Sequence, residues 1–151
     1  MSAGLPVNFA AGSSYVTPNT IVKEFYPGAA IVAGDAVMFA VAAAAGYSAT
    51  RAVIQATANA AGSLAFVGVA LEAAAAASTT VPIKVAVKGL VVGAKTDTVT
   101  AGDAVGMDLG GTAGKFDTVT VGTDHVLGIA LSDGTTTANI WLFGQGESAG
   151  L

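Results

Sequence analysis

The segment Ala-Gly-Asp-Ala-Val occurs twice in the chain, at residues 33–37 and 101–105, and this repeat constrains the fold most strongly. A second motif follows each copy, as Gly-Val-Ala-Leu at 68–71 and Gly-Ile-Ala-Leu at 128–131. In both halves, a small or polar stretch and then a strand-like run come next. A solenoid needs about three or more repeats to bury its faces, so two copies indicate one pseudo-duplicated domain.

Short runs with the two-residue period of β-strands accompany these motifs. In residues 81–88, branched apolar residues alternate with residues that include Lys84 and Lys88, which places both lysines on one face. The other runs that predict strands are residues 21–26, 64–71, 116–121 and 138–143. Many short strands separated by glycine-containing turns predict an all-β fold, a small sandwich or barrel with a pseudo-duplicated core, rather than βαβ units.

Alanine clusters are the main competing signal for helix. They lie at residues 42–45, 56–61 and 73–77, and alanine has the highest helix propensity. Each cluster is much shorter than the ~12–15 residues that an isolated helix needs to be stable. We therefore expect strand ends, loops or at most one short helix around residues 57–61.

The chain divides into three parts. Residues 1–20 contain prolines, glycines and isolated apolar residues without a persistent period, which predicts an extended N-terminal arm. Residues 21–144 form a single β domain, as expected for a chain of 151 residues, and residues 145–151 form a loose tail.

The composition excludes several classes of protein. Hydrophobic residues make up 53% and charged residues 11%, with a net charge of -4, so the chain is not disordered. Its 6 basic residues are too few for a nucleic-acid surface, and 0 cysteines exclude disulfides and thiol chemistry. The apolar run 29–45 contains Asp35 and is shorter than the ~20 residues of a membrane span, and no signal peptide is visible. An apolar, charge-poor surface of this kind favours contacts with other subunits.

The ionisable residues do not form a catalytic pattern. His125 follows Asp124, but adjacent residues in a strand point to opposite faces, so a turn histidine is the better interpretation. Asp35 and Asp103 occupy equivalent turns of the two halves, where their side chains stabilise the turn rather than form an acid/base pair. We predict no catalytic residue and no enzyme activity.

Metal and cofactor motifs are also missing from the sequence. The aspartates after residue 96 are isolated, without the spacing of a calcium loop, and are best explained as solvated loop charges: Asp97, Asp103, Asp108, Asp117, Asp124 and Asp133. The glycine-rich segment 110–115 lacks phosphate-loop spacing and is predicted to connect a hairpin. Four aromatic residues could form a sugar-stacking face, although aromatics in strands are more often core or interface: Tyr26, Phe39, Trp141 and Phe143. We predict no metal and no cofactor.

The order of these motifs resembles that of tailed-phage capsid decoration (cement) proteins. The resemblance rests on the two Ala-Gly-Asp-Ala-Val turns, on residues 68–71 followed by Glu72 and alanines, on Val-Ala-Val-Lys-Gly-Leu at 85–90, and on residues 128–131 before the last strand. It covers about residues 21–143. It implies a small all-β protein, usually a trimer, that clamps onto an assembled icosahedral shell. It also implies an N-terminal arm that adds to the major capsid protein, often as an extra strand.

The resulting expectation is a structural virion protein. It would form a homotrimer, bind the major capsid protein on the outer surface of a phage capsid after synthesis in the host cytoplasm, and stabilise the shell, without nucleic acid or membrane as a partner. The residues predicted to contact the capsid are apolar and lie on or beside the arm: Phe9, Tyr15, Val16, Ile21 and Val22. Two alternatives remain open, a carbohydrate- or receptor-binding surface module and a small trimeric β enzyme acting on nucleotides.

Overall fold

The computed structural model describes residues 15–16, 19–40, 52–58, 64–107 and 111–144. Phe9 and most of the predicted arm, the alanine cluster 42–45, most of the predicted helix 57–61 and the tail 145–151 lie outside these residues. The described residues contain the following strands: β1 Tyr15–Val16, β2 Ile21–Pro27, β3 Ala36–Phe39, β4 Ala52–Gln55, β5 Phe66–Ala70, β6 Ile83–Lys95, β7 Ala104–Gly106, β8 Asp117–Thr118, β9 Gly128–Ala130 and β10 Thr137–Leu142. The predicted all-β fold is confirmed.

Five strands close into a barrel in the order β2-β4-β3-β5-β6, because β2 also pairs with β6. The β2–β4 pair is parallel, and the other four pairs are antiparallel. In the β2–β6 pair, Lys23 lies opposite Val85 and Phe25 opposite Ile83. Closure leaves the barrel wall without a free strand edge.

The strand β6 continues out of the barrel and becomes part of a second sheet. Its C-terminal part pairs with β10 on one side and with β1 on the other, and the sheet extends from β10 to β9, β7 and β8. Gly89, with φ +97°, and Gly93, with φ +77°, lie in this 13-residue strand. Positive φ is readily adopted by glycine, so these two residues allow one chain segment to depart from the regular strand conformation and still serve both sheets.

The two halves of the chain repeat the same backbone pattern. Ala36 in β3 lies opposite Val69 in β5, and the pair at the equivalent place in the second half is Ala104 in β7 and Ile129 in β9. The preceding turns agree in detail. The amide N–H of Gly34 donates to the carbonyl of Ala70 at 2.7 Å, and that of Gly102 donates to Ala130 at 2.7 Å. Gly34 and Gly102 have φ of +93° and +97°, which explains why the repeated motif contains glycine at this position.

The aspartates of the repeated motif stabilise these turns. Asp35 Oδ2 accepts a hydrogen bond from the amide of Val32, and Asp103 Oδ2 accepts one from the amide of Thr100, each at 2.8 Å. The two aspartates differ in burial and in their contacts beyond the turn. Asp35 is buried and its Oδ1 lies 2.8 Å from Lys95 Nζ, whereas Asp103 is half-buried. Asp35 therefore ties the first turn to the end of β6.

Two apolar clusters fill the molecule. One lies inside the barrel and contains Ile31, Val37, Val53, Val67, Ala70, Ile83 and Val85. The other joins the outside of the barrel wall to the inner face of the second sheet and includes Met38, Phe66, Val91, Val105, Phe116, Ile140 and Leu142. Successive strand residues face opposite sides, so β3 and β5 contribute to both clusters.

One local prediction needs correction. The alternation at 116–121 produces a strand only at Asp117–Thr118, and Val121 is 61% exposed because the chain leaves the sheet for a turn in which residues 121 and 124 form a bridge. The alanine cluster 73–77 forms a loop with bends, which is one of the outcomes predicted for it. Ala74 exchanges two backbone hydrogen bonds with Ile31, at 2.8 and 2.9 Å, which fixes this segment against the first turn.

The equivalent aspartates allow a matched stability test. We expect Asp35→Asn to lower the free energy of unfolding by about 1.5–3 kcal/mol, because it removes the charged acceptor of Lys95 in a buried site. The side chain of Lys95 is 29% exposed, so water reaches it and limits the loss. Asp103→Asn, at the half-buried counterpart, is expected to cost less than about 1 kcal/mol. Urea unfolding followed by circular dichroism measures both, and equal losses would contradict this assignment.

Candidate binding surface

The second sheet presents a row of apolar side chains on the face that points away from the core. Trp141 in β10 lies directly opposite Leu90 in β6 and Ile129 in β9, and Ile129 lies opposite Ala104 in β7. Directly opposite residues of an antiparallel pair share a face, so these four side chains form a continuous row, and Val92 continues it along β6. We call Leu90, Val92, Ala104, Ile129 and Trp141 the outer sheet face.

The neighbouring positions on the same strands show that the two faces differ in burial. Val91, Ile140 and Ala130 lie opposite one another and are all 0% exposed. Trp141, between the buried Ile140 and Leu142 on β10, is 39% exposed, and Leu90 and Ile129 are half-buried. The second sheet is therefore covered by the core on one side, while its other side presents uncharged apolar groups to solvent. Exposed apolar patches of this kind are typical of interaction surfaces.

Four of the residues predicted to contact a capsid belong to segments that pair with β6, and the fifth, Phe9, lies outside the described residues. Tyr15 and Val16 form β1, opposite Val92 and Val91, so β1 is an edge strand of the second sheet. Ile21 and Val22 begin β2 in the barrel wall; Ile21 is 47% exposed and Val22 is half-buried. Backbone pairing places Tyr15 and Val16 beside the strand that carries Leu90, whereas Ile21 and Val22 lie further along β6, in the barrel.

The acidic residues act on the local backbone. Asp97 Oδ2 accepts from the amide of Thr112 at 3.0 Å, Asp124 Oδ2 from Thr120 at 2.8 Å and Asp133 Oδ1 from Ala101 at 2.8 Å. An acceptor that satisfies a backbone N–H in a turn is the role expected of aspartate in such segments. Within the described residues, no group of three or more histidine or acidic side chains is arranged to hold a metal ion. His125 is exposed and follows the turn that Asp124 stabilises.

The four aromatic residues considered for sugar stacking do not form one platform. Phe39 packs against Phe25 inside the barrel, with ring centroids 6.1 Å apart. Trp141 lies on the outer sheet face, where its strand neighbours are Leu90 and Ile129. Sequence alternation correctly predicted that Trp141 is on the opposite side of β10 from Ile140 and Leu142. It did not reveal Leu90 and Ile129 as neighbours, because strand order has no local sequence signal.

Comparison of the sequence with protein-family models and with curated proteins finds no match. Among the residues that the structure describes, no helix has the length and hydropathy needed to cross a membrane.

Proposed function

We propose that this chain is a structural virion protein that binds the outer surface of an icosahedral phage capsid and stabilises it. The observation that carries the proposal is the outer sheet face, on which Leu90, Trp141 and Ile129 form an uncharged row across three strands. The resemblance of the motif order to capsid decoration proteins supports the same function. The role is adhesive and not enzymatic, and the partners are the major capsid protein and further copies of the chain in a homotrimer.

An adhesive role agrees with the energetics of such a surface. Burying apolar area is worth about 25 cal/mol per Å², and a standard protein interface buries about 1,600 Å². Interfaces of that size depend on a few large anchors, among which tryptophan is prominent. Trp141 is the largest side chain of the outer sheet face and occupies a position between Leu90 and Ile129. On a shell, the same contact is repeated by many copies, so moderate affinity at each one suffices.

The edge strand β1 supports the second part of the proposal, in which the N-terminal segment adds to a sheet. Tyr15 and Val16 already pair with β6 through the backbone. Strand addition needs main-chain hydrogen bonds rather than particular side chains, which suits a segment without a binding motif. The proposed capsid contact therefore includes Phe9, Tyr15, Val16, Ile21 and Val22 together with the outer sheet face.

Cosedimentation with expanded, DNA-free capsids of the phage whose genome carries this sequence tests the proposal. We expect Trp141→Ser to weaken capsid binding at least about tenfold, the loss of a hot-spot residue of about 2 kcal/mol. Val121→Ser is the matched control, because Val121 is 61% exposed in a turn outside the outer sheet face. Native mass spectrometry of both variants shows whether the trimer persists. Undiminished binding by Trp141→Ser would remove the outer sheet face from the contact.

Deletion of residues 1–19 tests the arm in the same assay. The shortened protein is expected to lose most of its capsid binding while circular dichroism shows that it remains folded. Binding as tight as that of the full chain would contradict the role assigned to the arm. If the full chain itself fails to sediment with capsids, the proposed function is wrong.

A further inference from the structure

The barrel is filled at one end and hollow at the other. Ile31, Val37, Val53, Ile83 and Val85 are buried in its interior. At the other end, where β3 ends and β2 and β5 begin, a cavity of about 530 Å³ is lined by residues that include Lys23, Phe25, Phe39, Val67, Val87 and Lys88. We call it the barrel mouth. Its volume falls within the about 300–1,000 Å³ that small-molecule sites occupy.

The floor of the barrel mouth is apolar and already ordered. The rings of Phe25 and Phe39 meet edge to face, with centroids 6.1 Å apart and an interplanar angle of 69°. Val67 is 3% exposed, and Val87 packs against the same interior cluster. These four side chains offer a hydrocarbon surface that needs little rearrangement to receive an apolar group.

An exposed lysine lies at the rim of the barrel mouth, on the strand face that turns toward this floor. Lys23 lies opposite Val85, which is buried in the barrel, and is two residues from Phe25 on the same strand face. The structure shows no ion pair or hydrogen bond of the Lys23 ammonium with the described residues. Lys88 also lines the mouth, and its aliphatic stem passes beside Gly144. Glu24, the carboxylate among the described lining residues, lies opposite Lys84 on the other side of β2 from Lys23, so the charge above the floor is that of Lys23.

The barrel wall determines which kind of molecule fits this arrangement. Closure pairs the backbone of β2, β4, β3, β5 and β6 around the barrel, so a peptide inserted into the mouth would find no free strand edge. Its own N–H and C=O groups would then lose hydrogen bonds to water without replacement. An aliphatic chain has no such groups, and an anionic head at its end complements the ammonium group of Lys23.

We propose that the barrel mouth binds a small amphipathic anion, with an aliphatic chain packed on Phe25 and Phe39 and a carboxylate or similar head beside Lys23. This site is separate from the outer sheet face and does not depend on a capsid-binding function. Lys23 contributes the charge, and the two phenylalanines contribute the apolar contact area.

Isothermal titration of the full chain with decanoate, below its micelle concentration, tests the proposal. We expect saturable binding with one site per chain. Lys23→Gln should weaken decanoate binding about five- to tenfold, the loss of a charge-assisted contact, and leave the binding of neutral 1-decanol unchanged. Lys84→Gln is the matched control, because Lys84 is exposed on the same barrel but does not line the mouth, and it should bind decanoate as the unmodified chain does.

A second pair of variants tests the location. Val87→Trp fills the mouth and should abolish binding of both decanoate and 1-decanol, whereas Val92→Trp, on the same strand in the outer sheet face, should leave both unchanged. Thermal unfolding confirms that the variants fold. No saturable decanoate binding, equal affinity in Lys23→Gln, or unchanged binding in a folded Val87→Trp overturns the proposal. Binding of a polyglutamate peptide in place of decanoate would assign the mouth to a protein segment and overturn it as well.

Discussion

Replacing Gly68 by alanine is expected to lower the free energy of unfolding by at least about 3 kcal/mol, at the upper end of what overpacking costs. A Cβ atom at this position would overlap the carbonyl oxygen of Ala86 in the adjacent strand β6. Because this oxygen belongs to the backbone, no side-chain rotation can relieve the overlap. Because β5 and β6 belong to a closed barrel, moving them apart would disturb the other strand pairs. Urea unfolding followed by circular dichroism measures the loss.

The second half of the chain contains an equivalent glycine, whose substitution can be compared with Gly68→Ala. Gly128 is the equivalent residue, and a Cβ there would overlap the carbonyl oxygen of Trp141 in β10. The second sheet is open, so its strands can separate more easily, and Gly128→Ala should cost less than Gly68→Ala. Gly102→Ala separates the cost of steric overlap from the cost of backbone strain. Gly102 has φ +97°, and a Cβ atom there would meet nothing within 4 Å, so the substitution should cost only about 1–2 kcal/mol. A Gly68→Ala protein as stable as Gly102→Ala would contradict the close approach of β5 and β6.

Truncating Phe116 to alanine is expected to cost about 3–5 kcal/mol, the range for a fully buried phenylalanine. Phe116 is 0% exposed, and its ring meets that of Phe66 edge to face at 5.7 Å. The backbone around it is also fixed, since its N–H donates to Lys95 and the carbonyl of nearby Gly114 accepts from Ala36. The cavity left by the truncation cannot readily collapse between two connected sheets.

Thermal and urea unfolding of Phe116→Ala measure this loss, which corresponds to a melting temperature lower by about 2–4 °C for each kcal/mol. Phe143→Ala is the control, because Phe143 is half-buried and follows the last strand. Equal destabilisation of the two variants would show that Phe116 does not hold the interface between barrel and second sheet.

The sequence predicted most of the strands, because the alternation of apolar and polar residues and the glycines at turns involve only neighbouring residues. Ile83 and Val85 are buried and Lys84 is exposed, as the two-residue period predicts. The repeated motif identified equivalent turns, and Gly34 and Gly102 both have positive φ. The barrel closure had no such signal, because pairing of β2 with β4 and β6 joins residues that are distant in the chain.

The length of β6 shows a second limit of prediction from the sequence. The predicted strand ended at residue 88, before Gly89, whereas β6 runs from Ile83 to Lys95 through Gly89 and Gly93. Glycine inside a strand normally weakens it, so a sequence interpretation stops there. Here, a Cβ on Gly89 would lie 3.0 Å from Cα of Thr20, and the close passage of another chain segment explains the glycine.

The candidate surface was predictable only in part. The alternation in β10 separates Trp141 from the buried Ile140 and Leu142. Its neighbours Leu90 and Ile129 come from other strands, and only the strand order brings them together. The position of Lys23 at the rim of the barrel mouth likewise follows from its register opposite Val85 and not from the charge pattern of the sequence.

The passage of β6 through both sheets has a consequence for how the molecule comes apart. The barrel cannot open at β6 without releasing the strand on which β10 is aligned, and the second sheet cannot detach without stripping that strand from the outside of the barrel. Although the duplication is visible in the backbone, we expect that neither half unfolds independently of the other. We therefore expect heat or denaturant to unfold the described residues in a single cooperative transition.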